Sequence, residues 1–460
     1  MERILQLFCR MTVLFIVSFL SLVTARAQTE PCITFKFDPS VAQDGSPYKF
    51  TGVLPLLIVA EDAVVIKSNG IENLQDWKNG EWVSYELKSQ DLDQPSFDVE
   101  IYGTVTSFKI TDALVTQVDV LNCPQLKILS CSMIPLNSID LSKNLELEYL
   151  RCSSTQVLDL SLVNNKKLQY VDCSASNLQS LELKELKELR FLDCSYNNLR
   201  DLNLAANTKI QTLRCSNNPL SNLDLSMLTE LEGITCSQTN LSSLDLSRAK
   251  KLNGVILNNN QNLETLVVST EFHKAEDLAI MDVSSNALRE LDVTGLDKLF
   301  SIFLERNKMD GEATSRFIQS LPDHSYPHPI NNNKLCIIDT QSDKEENVCY
   351  EEDVRLAWEK GWLCEDYNGG QPIRYMGSKP IAAEVVQSEQ VRLYPNPMSS
   401  NLQIRGAEAF VEVILFTVEG VAIMNAKCNE DGAADFDVSH LPQGSYLVKV
   451  GERSIPVIRK

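Results

Sequence analysis

The stretch Leu189-Arg190-Phe191-Leu192-Asp193-Cys194-Ser195-Tyr196-Asn197-Asn198-Leu199-Arg200-Asp201-Leu202-Asn203-Leu204 decides the fold, because its pattern returns every 21 residues. Cys131, Cys152, Cys173, Cys194, Cys215 and Cys236 keep the beat, and the frame LxxLxCSxNxLxxLxL runs from Leu126 to Met309. A unit this short cannot bury an apolar face alone, so successive units stack as a solenoid around a shared core. Leu189, Leu192, Cys194, Leu199, Leu202 and Leu204 are expected to point inward. Where the beat continues without cysteine, the slot holds Ile110, Leu257, Val283 or Leu304. A slot filled by thiol or aliphatic is a packing slot, in which cysteine acts as a small hydrophobe. A metal site would lose its ligands at the aliphatic turns. Bridges between rungs are disfavoured, because in-register strands stand about 4.8 Å apart and a disulfide brings its Cβ atoms to about 3.8 Å.

A second slot holds Asn197, Asn218, Asn260, Asn286 and Asn307, with Thr155, Ser176 and Thr239 in other turns. Short polar side chains there can satisfy backbone groups freed where each strand turns away. With Val105–Ile110 as a first, poor rung, about ten repeats fill 105–310. Their strands predict a parallel concave sheet roughly 45 Å long.

The rest of the 460 residues frames this array. Arg3 and Arg10, an apolar run from Met11 to Val23 and the Ala25-Arg26-Ala27 cleavage site read as a secretory signal over 1–27. The apolar run is too short to span a bilayer comfortably. Cys9 precedes it and Cys32 lies too far beyond it for a lipoprotein signal. Formal charge is −20, and removing the signal, with three Arg and one Glu, leaves −22. That excludes nucleic acid or anionic membrane as main partner, since both call for a basic face. No later segment has the character of a transmembrane helix.

Residues 28–104 alternate like strands at Ile33–Phe37, Ala63–Lys67 and Phe97–Ile101, with a hairpin expected on Asn79-Gly80. This small β domain is expected to cover the solenoid's open end. Trp77 and Trp82 read as its core packing, with a carbohydrate contact as the alternative. The turn after Leu257 is five residues longer than its neighbours, a surface bulge around Ser269–Asp277. From Asp310 the repeat dissolves into a cap over 311–375, with a helix expected over Glu351–Lys360 and stopped by Gly361. Cys336, Cys349 and Cys364 fall there, and in an exported chain one pair among them is expected to bridge, the pairing being open. Residues 376–390 read as a linker. The segment 391–460 opens on Tyr394-Pro395-Asn396-Pro397 and predicts a small antiparallel sandwich punctuated by Gly420 and Gly444.

The repeats, with cysteine in a fixed consensus slot, resemble internalin-J-type leucine-rich repeats. The stretch DWKNGEW at 76–82 is similar to the leader domain of such proteins in Bacteroidetes. The tail resembles the type IX secretion sorting domain (the Por secretion tail) in VRLYPNP, in VEG at Val418–Gly420, in LPQGSYLVKV at Leu441–Val450 and in the basic Lys460. The resemblance implies a mainly β leucine-rich-repeat solenoid between a small N-terminal β domain and a C-terminal β-sandwich. It further implies handling by type IX secretion machinery, display at the outer-membrane surface or release, and lipopolysaccharide as a possible anchor. Internalin-like solenoids bind host or bacterial partners in adhesion, invasion or biofilm growth.

Catalytic constellations do not stand out. His273, His324, His328 and His440 are scattered, and no HExxH, GxSxG, P-loop or GxGxxG occurs. The expectation is a binding protein without a cofactor, the alternatives being a surface scaffold without a discrete ligand and a hydrolase with its site in the cap region. A metal pair at His324 and His328 gives way to a proline-rich loop, and calcium at Asn429–Asp437 to an acidic turn. Residues flanking the inward Leu and Cys face the concave sheet. Tyr149, Tyr170 and Phe191 stack there in adjacent rungs, beside Arg151, Asp172, Asp193 and Arg214, with Tyr196 just beyond. Such aromatics either anchor a protein or glycan ligand of host or neighbouring bacteria, or merely stabilise an open sheet. Thr212, Gly233 and Gly254 continue the aromatic column and bias any contact toward the N-terminal half.

Overall fold

The computed structural model describes residues 30–460 except 39–55, 62–63, 69–70, 75–82, 86–95, 112–114, 269–276, 326–332, 379–391, 395–397, 399, 406, 408, 419, 452 and 460. The signal segment, the Asn79-Gly80 hairpin, Trp77, Trp82, His273, His328 and most of the Ser269–Asp277 bulge lie outside the described residues. The chain divides between Gly377 and Ser378 into two compact units.

The first unit is a leucine-rich-repeat solenoid. Three-residue strands such as Tyr149–Arg151, Tyr170–Asp172, Phe191–Asp193 and Thr212–Arg214 pair in parallel, each residue opposite its counterpart one repeat on. Leu150, Val171, Leu192 and Leu213 turn inward and are fully buried, as are the ladder cysteines, none more than 1% exposed. Ile110, Leu257, Val283 and Leu304 occupy the same buried slot. Burial pushes the thiols of Cys131, Cys152, Cys173 and Cys194 upward, Cys131 to about 12, so these four stay protonated packing groups.

Each turn leaves its strand through a left-handed residue. Met133, Ser154, Ala175, Tyr196, Asn217, Gln238, Asn259, Ser285 and Arg306 have φ between 53° and 61°. Their N–H groups donate to the next rung, as from Met133 to Ser153 O at 2.9 Å and from Tyr196 to Ser216 O at 2.8 Å, except that of Arg306, which donates to Glu345 Oε2 at 2.8 Å. Lys–Glu pairs one repeat apart, Lys167–Glu146 at 2.6 Å and Lys209–Glu188 at 2.7 Å, line an exposed flank. Such surface pairs add little stability individually.

At the N-terminal end the two architectures interleave. Leu56–Ala60 pairs antiparallel with Val105–Ile110, which pairs in parallel with Ile128–Ser130. The next strand, Val115–Asp119, leaves the solenoid sheet and pairs with Ile33–Phe37 at one edge of a five-stranded sheet. The N-terminal strands thus cover the first rung while sharing chain with it.

Beyond Met309 the structure departs from expectation. The periodicity ends, but the sheet does not: Asn333–Ile338 and Trp362–Asp366 add two further parallel strands after Ser301–Phe303. Helices Gly311–Ser320 and Glu351–Glu359 form crossovers that replace the short turns, and only the second was expected. Leu335, Trp362 and Cys364 continue the core with no more than 2% exposure. Gly361 sits just past the second helix with φ +85°, and a Cβ there would come within 2.9 Å of the His324 backbone.

In the structure Cys336, Cys349 and Cys364, among which a bridge was expected, are buried thiols, like the other described cysteines. The pleat explains part of this. Cys364 lies opposite Leu335, whereas Cys336 lies opposite Glu365, so the two thiols point to opposite faces of adjacent strands.

The second unit is an antiparallel sandwich. One sheet orders Arg392–Tyr394, Asn401–Arg405 and Ala434–Asp437; the other orders Ala422–Lys427, Glu412–Thr417, Gly444–Val450 and Arg453–Arg459. Met398, Leu402, Ile404, Val413, Leu415 and Val448 are fully buried in its core.

Candidate binding face and sorting domain

On the concave sheet the parallel register places Tyr149 beside Tyr170 and Tyr170 beside Phe191. Their rings stack face to face, with both centroid distances 4.2 Å and interplanar angles of 11° and 2°. The Arg214 guanidinium lies 5.6 Å from the Phe191 centroid and caps that end of the stack. The three aromatics are half-buried, presenting their edges. Desolvation, then the Tyr149 ring beside it, pushes the Tyr170 phenol up to about 12, so it remains a hydrogen-bond donor.

The adjacent charged column divides by role. Asp172 receives Arg151 Nε at 3.0 Å and accepts from Ser174 N–H and Oγ at 3.2 and 2.7 Å. Asp193 accepts from Ser195 N–H at 3.0 Å and faces Arg214 Nη1 at 3.9 Å. The acid side chains are only 8% and 16% exposed, the arginines 49% and 53%. The acids therefore hold the strand ends, and the arginines present the charge. Tyr196, in its left-handed position, is 62% exposed, as is Met133 in the equivalent position three turns earlier.

Beyond Thr212 the aromatic column becomes Gly233 and Gly254, side by side in register. A Cβ at either position would meet nothing within 4 Å, and neither has positive φ. The fold does not require these glycines. They leave bare backbone between the aromatic stack and the exposed Ile256 and Ile280. The outward bias and vertical alignment of this column were legible in the sequence; the face-to-face geometry of the rings and the freedom of the two glycines were not. Sequence reading also missed Glu305, buried near the far end of the sheet, whose carboxyl is pushed up to about 7, chiefly by desolvation.

The other candidates resolve as structural. His324 Nε2 sits 2.8 Å from Leu299 O, and its ring packs 5.6 Å from Trp362. Asn429 Oδ1 accepts from the N–H groups of Asp431 and Ala433, building a turn. Among the described residues, no three His, Cys, Asp or Glu side chains are grouped to hold a metal. No described helix is long and apolar enough to cross a membrane.

In the second unit, Tyr394 ends the strand Arg392–Tyr394, while Pro395, Asn396, Pro397 and Lys460 lie outside the described residues. Gly420, at φ +83°, donates to Thr417 O at 3.0 Å in the turn between two strands. Gly444 opens the strand Gly444–Val450, in which Tyr446 donates its hydroxyl to Pro442 O at 2.7 Å. Residues 392–460 match the family described as the secretion system C-terminal sorting domain. The second unit is a secretion sorting domain. It marks the chain as a type IX cargo exported to the cell surface.

Among solved structures, the chain is similar to the functional domain of InlJ from Listeria monocytogenes, which includes a cysteine ladder. The match has 18% identity and a TM-score of 0.43, and covers 75% of this chain and 74% of that one. The internalin InlF of the same organism matches at 15% identity and TM-score 0.44, over 61% of this chain and 83% of that one. The leucine-rich effector YopM from Yersinia pestis matches at 21% identity and TM-score 0.35, over 48% and 56%. No curated protein matches the sequence.

Proposed function

We propose that the exported chain is an adhesin or biofilm factor that binds a protein partner on host or neighbouring cells through the N-terminal half of its concave sheet. The supporting observation is the aromatic stack with its glycine neighbours. Tyr149, Tyr170 and Phe191 cover one another's ring faces at 4.2 Å, so a sugar cannot lie flat on the faces they share. What remains are ring edges, the Tyr170 donor, the exposed heads of Arg151 and Arg214, and a backbone floor at Gly233 and Gly254. Interface anchors have this composition, with aromatics and arginine at the centre. A glycine pair that the fold does not need fits close approach by another chain.

The alternative is a surface scaffold without a discrete ligand, in which the stack only stabilises the sheet. Combined Tyr149→Ala, Tyr170→Ala and Phe191→Ala substitution is expected to cut cell attachment by about tenfold or more. Gly233→Arg is expected to do the same with less effect on folding, since its Cβ enters open space. If both proteins fold and still attach like the parent, the contact face is elsewhere. In this reading lipopolysaccharide retains the chain after the type IX machinery has handled its sorting domain. A diffuse, slow-migrating surface form on gels is the expected sign, and a sharp band at the unmodified mass contradicts it.

A further inference from the structure

We infer that the exported chain carries a Cys32–Cys123 disulfide that staples the N-terminal sheet to the first turn of the solenoid. Both residues are buried, at 3% and 2% exposure, and both are thiols in the structure. The Cys32 thiol is near enough to push the Cys123 thiol upward. The backbone brings them together independently of any side-chain detail. Ile33–Phe37 runs antiparallel to Val115–Asp119 with Thr34 opposite Asp119, so Cys32 faces the turn that carries Cys123. Asn122 Nδ2 reaches Glu30 Oε2 at 3.4 Å across the same corner.

Both ends are fixed in place. Cys32 donates its N–H to Ile101 O at 2.8 Å, Cys123 donates its N–H to Val120 O at 2.9 Å, and Cys123 Sγ lies 3.2 Å from Val105 O. This pair differs from the ladder, where the Cys236 thiol likewise pushes that of Cys215 upward but the two sit on parallel rungs whose spacing opposes a bridge. Cys123 is not on that ladder. It stands 21 residues before Asn144, in a column on the other side of the turn, and no rung spacing separates it from Cys32.

Export supplies the oxidising compartment. The oxidant is a protein disulfide of a periplasmic thiol oxidase. One cysteine thiolate attacks it to form a mixed disulfide, and the second thiolate displaces the oxidase. The pair loses two protons and two electrons, and the oxidase leaves as its dithiol. The neighbouring Cys32 thiol and then burial raise the folded Cys123 thiol, so the exchange belongs to the folding chain, before the corner closes.

Signal removal after Ala27 and trypsin cuts at Lys36, Lys109 and Lys127 isolate each cysteine in its own peptide. The test is a peptide map of the full chain taken from the cell surface, alkylated in denaturant without reductant. A linked species joining the peptide that ends at Lys36 to residues 110–127, lost on reduction, is expected. Recovery of both peptides singly and alkylated overturns the proposal, as does either cysteine linked to a different partner.

Discussion

Asn218 and Asn165 are both buried asparagines repeated along the solenoid, yet their two columns carry different burdens. Asn218 uses both ends of its amide. Its Nδ2 donates to Cys194 O, Cys215 O and Ser216 O at 2.9, 3.1 and 3.3 Å, and its Oδ1 accepts from Leu199 N–H at 3.0 Å. Asn197, Asn260 and Asn307 work alike. Asn165 donates to Leu141 O and Asn144 O at 3.0 and 2.9 Å, but its Oδ1 has no hydrogen-bond partner, nor do those of Asn144 and Asn207. The carbonyls it reaches already accept backbone bonds, from Asn144 N–H and Leu147 N–H. The Asn218 column completes the backbone where each strand ends, whereas the Asn165 column adds second bonds and leaves an oxygen unpaired. Equal burial conceals unequal necessity.

The sharpest test of the difference is Asn218→Ala. It strips the Leu199 N–H and the Cys215 carbonyl of their partner inside a dry core, while Cys194 O keeps the Asn197 amide at 3.0 Å. The expected loss is about 3–4 kcal/mol of unfolding free energy, read from denaturant titration of the full chain. A loss below about 1 kcal/mol would mean that the backbone finds substitutes, and the distinction between columns would fail.

A milder change probes which half of the amide matters. Other rungs hold Thr155 and Ser176 in the Asn197 slot, and their hydroxyls donate to Cys152 O at 3.1 and 3.2 Å. Asn197→Ser therefore keeps a donor for the cysteine carbonyl. It forfeits the oxygen that accepts from Ser176 N–H and Leu178 N–H. The same titration is expected to show a loss of about 1–2 kcal/mol, below that of Asn218→Ala. A loss equal to that of Asn218→Ala would place the burden on acceptance rather than donation.

These columns also show what a sequence makes legible. The cysteine ladder was readable because one residue type, interchangeable only with aliphatics, fell at strict spacing. The Asn197 column was readable because, after Ile134 in the first cysteine rung, its substitutes are short and polar. The Asn165 column was hidden because Leu186, Leu228, Ala249 and Cys123 share its slot, and mixed polarity carries no visible rule. The left-handed residues were equally hidden: Met133, Ala175, Tyr196 and Arg306 have nothing in common but backbone geometry imposed by the neighbouring rung. Strands 333–338 and 362–366 escaped because helical crossovers destroyed the period while the pairing continued. On the concave face, spacing aligned Tyr149, Tyr170 and Phe191, but only coordinates show that they cover one another. The same holds for Asp172 and Asp193, whose carboxylates secure strand ends rather than present charge.

The smallest expected effect carries the other half of the comparison. Asn165→Leu removes two side-chain hydrogen bonds, yet leaves Leu141 O and Asn144 O with their backbone donors. It also removes the unpaired oxygen, whose desolvation works against the bonds the amide makes. Space is no obstacle, because Leu186 and Leu228 are accommodated in this slot with at most 1% exposure. Replacing a half-satisfied amide by a hydrophobe of similar size is expected to change stability by less than about 1 kcal/mol in either direction. If Asn165→Leu instead cost as much as Asn218→Ala, the second bonds to those carbonyls would be as necessary as the first. The convex turns would then depend on amide donors in every rung, and the rungs that carry leucine would have to be the weak points from which the solenoid opens.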